Sequence, residues 1–275
     1  MLIDTHSHLQ YYFNNLSEEL ACAPEVACGI VAGGTLECVP EVIKTADAAG
    51  WAMALGLHPL YVNEITFASL EEIMRTVIRL KDDPRLAAIG EIGLDHYAEA
   101  LDQKLCERAF TAQLSLAQEL SLPVTVHSRH ALGRTMDILK TFPLVGGALH
   151  AFSGSREMAR IAIDRGWCLG VGGAVTYEGS KKVREAVRYA PLDALVLETD
   201  APDMPGAGIA EKKSHLRHML RYAQIIANLK KTDVETVCRI TTGNALRAFP
   251  RLKVILEAKP QFKVQNASAL AKELR

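Results

Sequence analysis

Residues 85–129, RLAAIGEIGLDHYAEALDQKLCERAFTAQLSLAQELSLPVTVHSR, carry the pattern that decides the fold. The stretch begins with RLAAIGEIGLD, a run too continuously apolar to face water, as a strand covered on both sides requires. QKLCERAFTAQLSLAQEL then places Leu105, Ala109, Phe110, Leu114, Ala117 and Leu120 on one stripe, the spacing of a helix packed on a sheet. LPVTVHSR returns to an apolar strand, which completes a β-α-β unit.

The alternation continues in both directions. Upstream lie LID, GIVAGG and WAMALGLH; downstream lie GGALHAFSG, WCLGVGG and ALVLETD, most of them separated by segments of helical spacing. Eight such units predict an α/β chain closed into a (β/α)8 TIM barrel, a single domain over residues 1–250, rather than an open doubly wound sheet. No G-x-G-x-x-G turn follows the first strand to favour the open form. From about Lys212 to Phe249 the pattern is helical, and residues 251–275 read as a partly helical C-terminal extension, not a separate domain.

A length of 275 residues with 49% apolar and 23% charged residues suits one large core. Lys and Arg total 31 against 32 Asp and Glu, so the charge of −1 excludes a global footprint for nucleic acid or anionic membrane. Any polyanion has to be gripped locally. The six cysteines show no C-x-x-C spacing and read as free thiols, not as a disulfide framework or a zinc knuckle. With no signal-peptide pattern and no run near the ~18 apolar residues of a membrane helix, a cytoplasmic protein is expected. No protein partner is inferred.

Active sites of parallel barrels sit where the strands end, at the C-terminal mouth. The first strand ends in Asp4-Thr5-His6-Ser7-His8, the third in His58, the fourth in Glu91 with Asp95 beyond, the fifth in His127, the sixth in His150 and the eighth in Glu198-Thr199-Asp200. On a strand, residues i and i+2 share a face, so His6 and His8 converge on one point. Alone, H-x-H is more often an ordinary pair, and each other residue alone is more often a satisfied polar group. Delivered together to one rim, they predict a metal centre. Six protein groups exceed the three or four around one catalytic zinc, which points to two divalent cations sharing a carboxylate. Four imidazoles with two carboxylates favour zinc, manganese, nickel or iron over magnesium.

In order and spacing, DTHSHL, GLHP, GEIGLD, LPVTVHSR, HAFSGS and LVLETDAP resemble the motifs of TatD-type metal-dependent hydrolases of the amidohydrolase superfamily, from Met1 to about Phe249. The resemblance implies a barrel with two divalent ions: His6, His8 and Asp200 on the first, His127 and His150 on the second, and Glu91 bridging them. Asp200 is then the expected general base, and Asp200 and Glu91 the catalytic carboxylates. Characterised relatives include DNases that cleave phosphodiester bonds, associated with magnesium, so a phosphodiester such as a DNA 3′ end is the expected partner. Arg129, in the HSR of that pattern, either clamps a phosphate or makes a salt bridge at the rim. Lys212 and Lys213, with Arg217, are candidates for a local grip on the strand.

His58 and Asp95 either orient a ligand or hold a loop, and Gly154, Gly172 and Gly173 either admit an anion to backbone amides or make tight turns. The chain also departs from the pattern. Gln10 stands where many relatives have aspartate, and APDMPGAGIAEKKSHLRH replaces a loop often containing Arg-Asn-Glu-Pro. Hydrolysis is therefore better supported than DNA specificity. The rival substrates are a small amide, ester or lactone, and a carboxylate rather than a modified lysine on the fourth strand favours the phosphodiester. A non-catalytic metal-binding module is the alternative of a different class.

Overall fold

Eight strands succeed one another in chain order, each parallel to the next: β1 (Leu2–Ser7), β2 (Val26–Ala32), β3 (Ala52–Leu55), β4 (Leu86–Asp95), β5 (Val124–Arg129), β6 (Gly147–Leu149), β7 (Cys168–Val171) and β8 (Leu195–Leu197). This computed structural model describes residues 1–143 and 146–259, apart from the side chains of 64–66. The ring closes where β8 returns to β1. There Thr5 Oγ1 donates to Leu197 O at 3.0 Å, Asp200 N to His6 O at 2.9 Å and His8 N to Ala201 O at 2.7 Å. Buried Asp4 completes the seam by accepting from Thr199 N at 3.0 Å and Thr199 Oγ1 at 2.6 Å, and burial pushes its carboxyl up to about 7. The architecture is a (β/α)8 TIM barrel.

Every residue of β1, β2 and β4 is buried, because their inner side chains fill the barrel while the outer ones meet helices. The helices are α1 (Leu16–Ala21), α2 (Val39–Ala49), α3 (Glu64–Arg79), α4 (Gln103–Leu120), α5 (Leu132–Leu139), α6 (Arg156–Asp164), α7 (Lys181–Tyr189), α8 (Met219–Lys230), α9 (Val234–Ala248) and α10 (Arg251–Ala258). α4 starts where Asp102 accepts from Lys104 N and Leu105 N, and it buries Leu105, Ala109, Phe110, Leu114 and Ala117 as its stripe predicts; Leu120 is half-buried.

Two expectations change in detail. Residues 212–215 are not helical: they belong to the loop after β8, and helical structure resumes at Leu216. α10 is seated in the core rather than standing off it, with Leu252 and Leu256 buried and Arg251 donating to the carbonyls of Lys81, Asp83 and Leu86. The rest of the expected extension, 260–275, lies outside the described residues. All six cysteines are free, with four buried, Cys38 half-buried and Cys22 exposed. Among the described residues no helix is long and apolar enough to cross a membrane.

Candidate metal centre

Glu91 occupies the middle of the mouth because β4 is distorted to put it there. The register with β5 slips between Ile89 and Ile92, and glycines flank the slip. Gly90 (φ 159°) lies so close to β5 that a Cβ would fall 2.2 Å from Thr125 Cγ2, and one on Gly93 (φ 145°) 2.0 Å from His127 O. Only glycine permits both the backbone angles and the approach.

Five imidazoles surround that carboxylate. His6 Nε2 is 3.2 Å and His8 Nε2 3.5 Å from Glu91 Oε2, while His58 Nε2 at 3.2 Å, His127 Nδ1 at 2.9 Å and His150 Nε2 at 3.9 Å face Oε1. Asp200 stands across from it, its Oδ1 3.8 Å from His6 Nε2 and 3.5 Å from His8 Nε2, its Oδ2 3.6 Å from His150 Nε2. All six residues expected at the metals thus meet in one cluster. His6, His8 and Asp200 form one compact triplet, His6, Glu91 and His150 another, each with donor atoms within 4.8 Å of one another. His127 instead shares a triplet with Glu91 and His58, so His127 and His150 meet through Glu91.

The electrostatics follow from burial opposed by counter-charge. Burial alone would raise Glu91, but the charges of His58, His6 and His150 and the His127 hydrogen bond hold it well below the usual carboxylate range. Asp200 is likewise lowered by His150, His6 and His8 against the effect of burial. Burial also opposes protonation of the histidines, yet Glu91 and Asp200 raise His8 to about 9, and Glu198, Asp200 and Glu91 raise His150 well above its ordinary value. His6 and His58 are lowered, chiefly by burial.

An outer set of partners aims the rings. His8 Nδ1 donates to Ala32 O at 2.9 Å, which turns Nε2 inward. Gln10 Nε2 donates to the same carbonyl at 3.0 Å, a bond an aspartate at that position would lack. His6 Nδ1 meets Thr125 Oγ1 at 2.8 Å, His127 Nε2 meets Asp95 Oδ2 at 3.0 Å and His150 Nδ1 lies 3.1 Å from Glu198 Oε1. Gln113 reaches from α4 to both N and O of Leu57 and so fixes the backbone before His58. Asp95 makes both expected contacts, with its Oδ2 on His127 and its Oδ1 accepting from the loop amides Tyr97 N at 2.8 Å and Ala98 N at 3.1 Å. Thr125 and Glu198 carry no role in the sequence reading, although each lies two residues before a ligand position.

His6 Nε2 and Asp200 Oδ1 are buried and find no aligned hydrogen-bond partner, although each lies within ion-pair range of the other. Such orphaned atoms are costly unless something else satisfies them. With His8 Nε2 beside them, mixed nitrogen and oxygen donors of this kind fit a divalent transition-metal cation.

A cavity of about 620 Å³ opens above the cluster. Arg129 lines it, its guanidinium 3.8 Å from the centroid of the exposed Tyr97 ring, and half-exposed Tyr61 and exposed Tyr11 stand at the same mouth. Asp203 also lines it, its carboxyl raised by burial and by Asp200. Lys212 and Lys213 are exposed on the loop after β8 and are not among the lining residues. That loop is pinned by Glu19, which accepts from Leu216 N at 2.7 Å and pairs with His215 Nδ1 at 2.8 Å. Gly172 and Gly173 serve close packing: a Cβ on Gly172 would lie 3.0 Å from Glu198 O, and one on Gly173 2.2 Å from Met204 O.

A parallel barrel whose mouth gathers histidines and carboxylates around one shared glutamate defines the class of metal-dependent hydrolases. The profile of the family described as TatD related DNase matches residues 3–250. An uncharacterized metal-dependent hydrolase of Bacillus subtilis, YabD, is 34% identical over 258 residues, covering 90% of this chain and 99% of its own length. The crystal structure of YjjV, a TatD homolog from Escherichia coli, superposes with a TM-score of 0.83 at 28% identity, covering 90% of this chain and 98% of that one. A mutant PTE-like lactonase of Deinococcus radiodurans shares the fold at 14% identity, with a TM-score of 0.56, covering 90% of this chain and 95% of its own. The chain belongs to the TatD family of metal-dependent hydrolases.

Proposed function

We propose that this hydrolase cleaves phosphodiester bonds at the end of a nucleic acid strand, in the cytoplasm, with two divalent cations held by His6, His8, Glu91, His127, His150 and Asp200. Zinc suits the imidazole-rich donor set best, with manganese or magnesium as alternatives. The observation that carries the reading is Arg129. It is the single Lys or Arg among the residues that line the cavity, and its guanidinium has no ion pair among the described residues. A phosphodiester brings the one negative charge that such a group takes in two parallel hydrogen bonds, whereas a neutral amide or lactone does not.

When bound, the ions supply an acidified water and positive charge for the phosphoryl oxygens. The chain's own groups do the rest. Asp200, whose Oδ1 lies beside His6 and His8 as a donor for one ion, takes the proton from the water on its other carboxylate oxygen. Glu91 joins the two halves of the centre. Arg129 holds the phosphate, and Tyr11, Tyr61 and Tyr97 offer ring faces to bases beside the scissile bond.

The test is metal-stripped protein reloaded separately with zinc, manganese or magnesium, assayed on a 3′-labelled single-stranded oligonucleotide beside a generic phosphodiester and a carboxylic ester. Metal-dependent shortening of the oligonucleotide, absent in Glu91→Ala, is expected. Turnover of the ester alone would replace the phosphodiester reading with that of a small-ester hydrolase.

A further inference from the structure

We propose that Glu198 is a positioning residue for His150, fixing which ring nitrogen faces the metals, and that Gly170 is the seat that makes room for it. The inference rests on the reading that the cluster holds divalent ions.

Glu198 lies two residues before Asp200 and is 1% exposed. Ala151 N donates to its Oε1 at 2.6 Å, which anchors the carboxylate, and the same oxygen is 3.1 Å from His150 Nδ1. The His150 contact is not aligned as a hydrogen bond, so its effect is electrostatic. A lone pair on Nδ1 would face the carboxylate at that distance, whereas a proton there is attracted. Nδ1 therefore carries the hydrogen, and Nε2, 3.6 Å from Asp200 Oδ2 and 3.9 Å from Glu91 Oε1, is left with its lone pair toward the centre.

Packing alone does not account for this side chain. Glu198 Oε2 is buried with no hydrogen-bond partner, a cost that an apolar residue of similar size would avoid. The neighbouring strand is shaped around it: a Cβ on Gly170 would lie 2.3 Å from Oε2, 2.7 Å from Cδ and 2.9 Å from Oε1. Any side chain at 170 would push the carboxylate off His150.

Three variants separate orientation from packing. Glu198→Gln keeps the shape without the charge, Glu198→Met fills the space with an apolar chain, and Gly170→Ala displaces the glutamate without changing it or the histidine. Zinc stoichiometry and affinity, by competition with a chelating dye, and the visible spectrum of the cobalt(II)-loaded protein are measured for each, with thermal unfolding to confirm folding. Weakening of one of two zinc ions by about 10- to 100-fold in all three, with altered cobalt bands, is expected, because Glu198→Gln removes the charge that acts on His150 Nδ1. Folded variants with unchanged affinity and spectrum, or Glu198→Gln staying close to the unaltered protein while Glu198→Met is weakened, would overturn the electrostatic role of Glu198. Failure of the unaltered protein to bind zinc would instead overturn the metal-centre reading beneath it.

Discussion

His58 Nε2 stands 3.2 Å from Glu91 Oε1 while His58 Nδ1 accepts the Leu60 amide at 3.1 Å. With Nδ1 so occupied and burial holding the ring neutral, the hydrogen is on Nε2 and points at Glu91. His58 is thus a donor to the shared carboxylate, although its atoms lie close enough to Glu91 and His127 to resemble a ligand set. His58→Ala should keep the metal content of the unaltered protein and lower kcat by roughly 10- to 100-fold, the usual cost of losing a group that orients a ligand. Elemental analysis beside steady-state kinetics checks this; loss of half the metal or more would make His58 a ligand.

Glu91 faces five imidazoles, so its loss should affect both halves of the centre. Bound ions at 100 times their Kd stabilise a fold by about 2.7 kcal/mol, which appears as a rise of several degrees in Tm. Chelation should remove that rise from the unaltered protein, and Glu91→Gln should show none on adding zinc. A full metal-dependent shift in Glu91→Gln would displace the glutamate from its bridging position.

Arg129 should act on binding more than on turnover. A hydrogen bond to a charged group contributes about 1.5–3 kcal/mol, so Arg129→Met should raise KM for a phosphodiester by roughly 10- to 100-fold with a smaller change in kcat. The KM for a neutral ester should stay the same. Equal rises for both substrates would assign the side chain to packing against Tyr97.

His218 gives a pH dependence whose sign can be worked out. Burial, aided by Arg217 and His215, lowers it to about 4, whereas an unfolded histidine titrates near 6.5. As pH falls from about 6.5 to 4 the unfolded chain gains a proton that the folded chain refuses, so stability present at neutral pH declines. The ring is half-exposed, and solvent screening limits this to about 1–2 kcal/mol. Urea unfolding at pH 7 and pH 5 should show a shallower decline in His218→Asn, whose side-chain oxygen can still accept the His215 amide; parallel declines would count against it.

Leu252, wholly buried on α10, tests whether that helix belongs to the barrel. Leu252→Ala should destabilise the fold by about 2–5 kcal/mol in urea titration, as for a core leucine. A cost under about 0.5 kcal/mol would make α10 an appendage after all.

Much of the centre was legible because a parallel barrel turns strand order into spatial convergence. His6, His8, Glu91, His127, His150 and Asp200 stand at strand ends, and the fold leaves such residues one place to go. Thr125 and Glu198 were within reach of the same reasoning, by stepping back two residues from His127 and Asp200. Gln113 holding Leu57, and Glu19 holding the loop at His215 and Leu216, leave no such trace. Each is a side chain reaching backbone or histidine across 56 to 197 residues, which no periodicity records. The glycines of GVGG read as anion-admitting amides or tight turns, whereas Glu198 and the backbone at Met204 are what stand against them. Lys212 and Lys213 read as a grip on substrate, yet sequence alone does not say on which side of a loop a lysine emerges.

The bonds from Arg251 to the carbonyls of Lys81, Asp83 and Leu86 span up to 170 residues, and Lys259 Nζ reaches Ala27 O across 232. α10 therefore closes on strands made early in synthesis. On the ribosome, β2 to β4 emerge long before the helix that shields the loops leading into them, and they wait with that surface bare until α10 has been made. Chaperone demand should be set by this interval, and shortening it by circular permutation, so that α10 precedes β2, should ease folding without touching the metal centre.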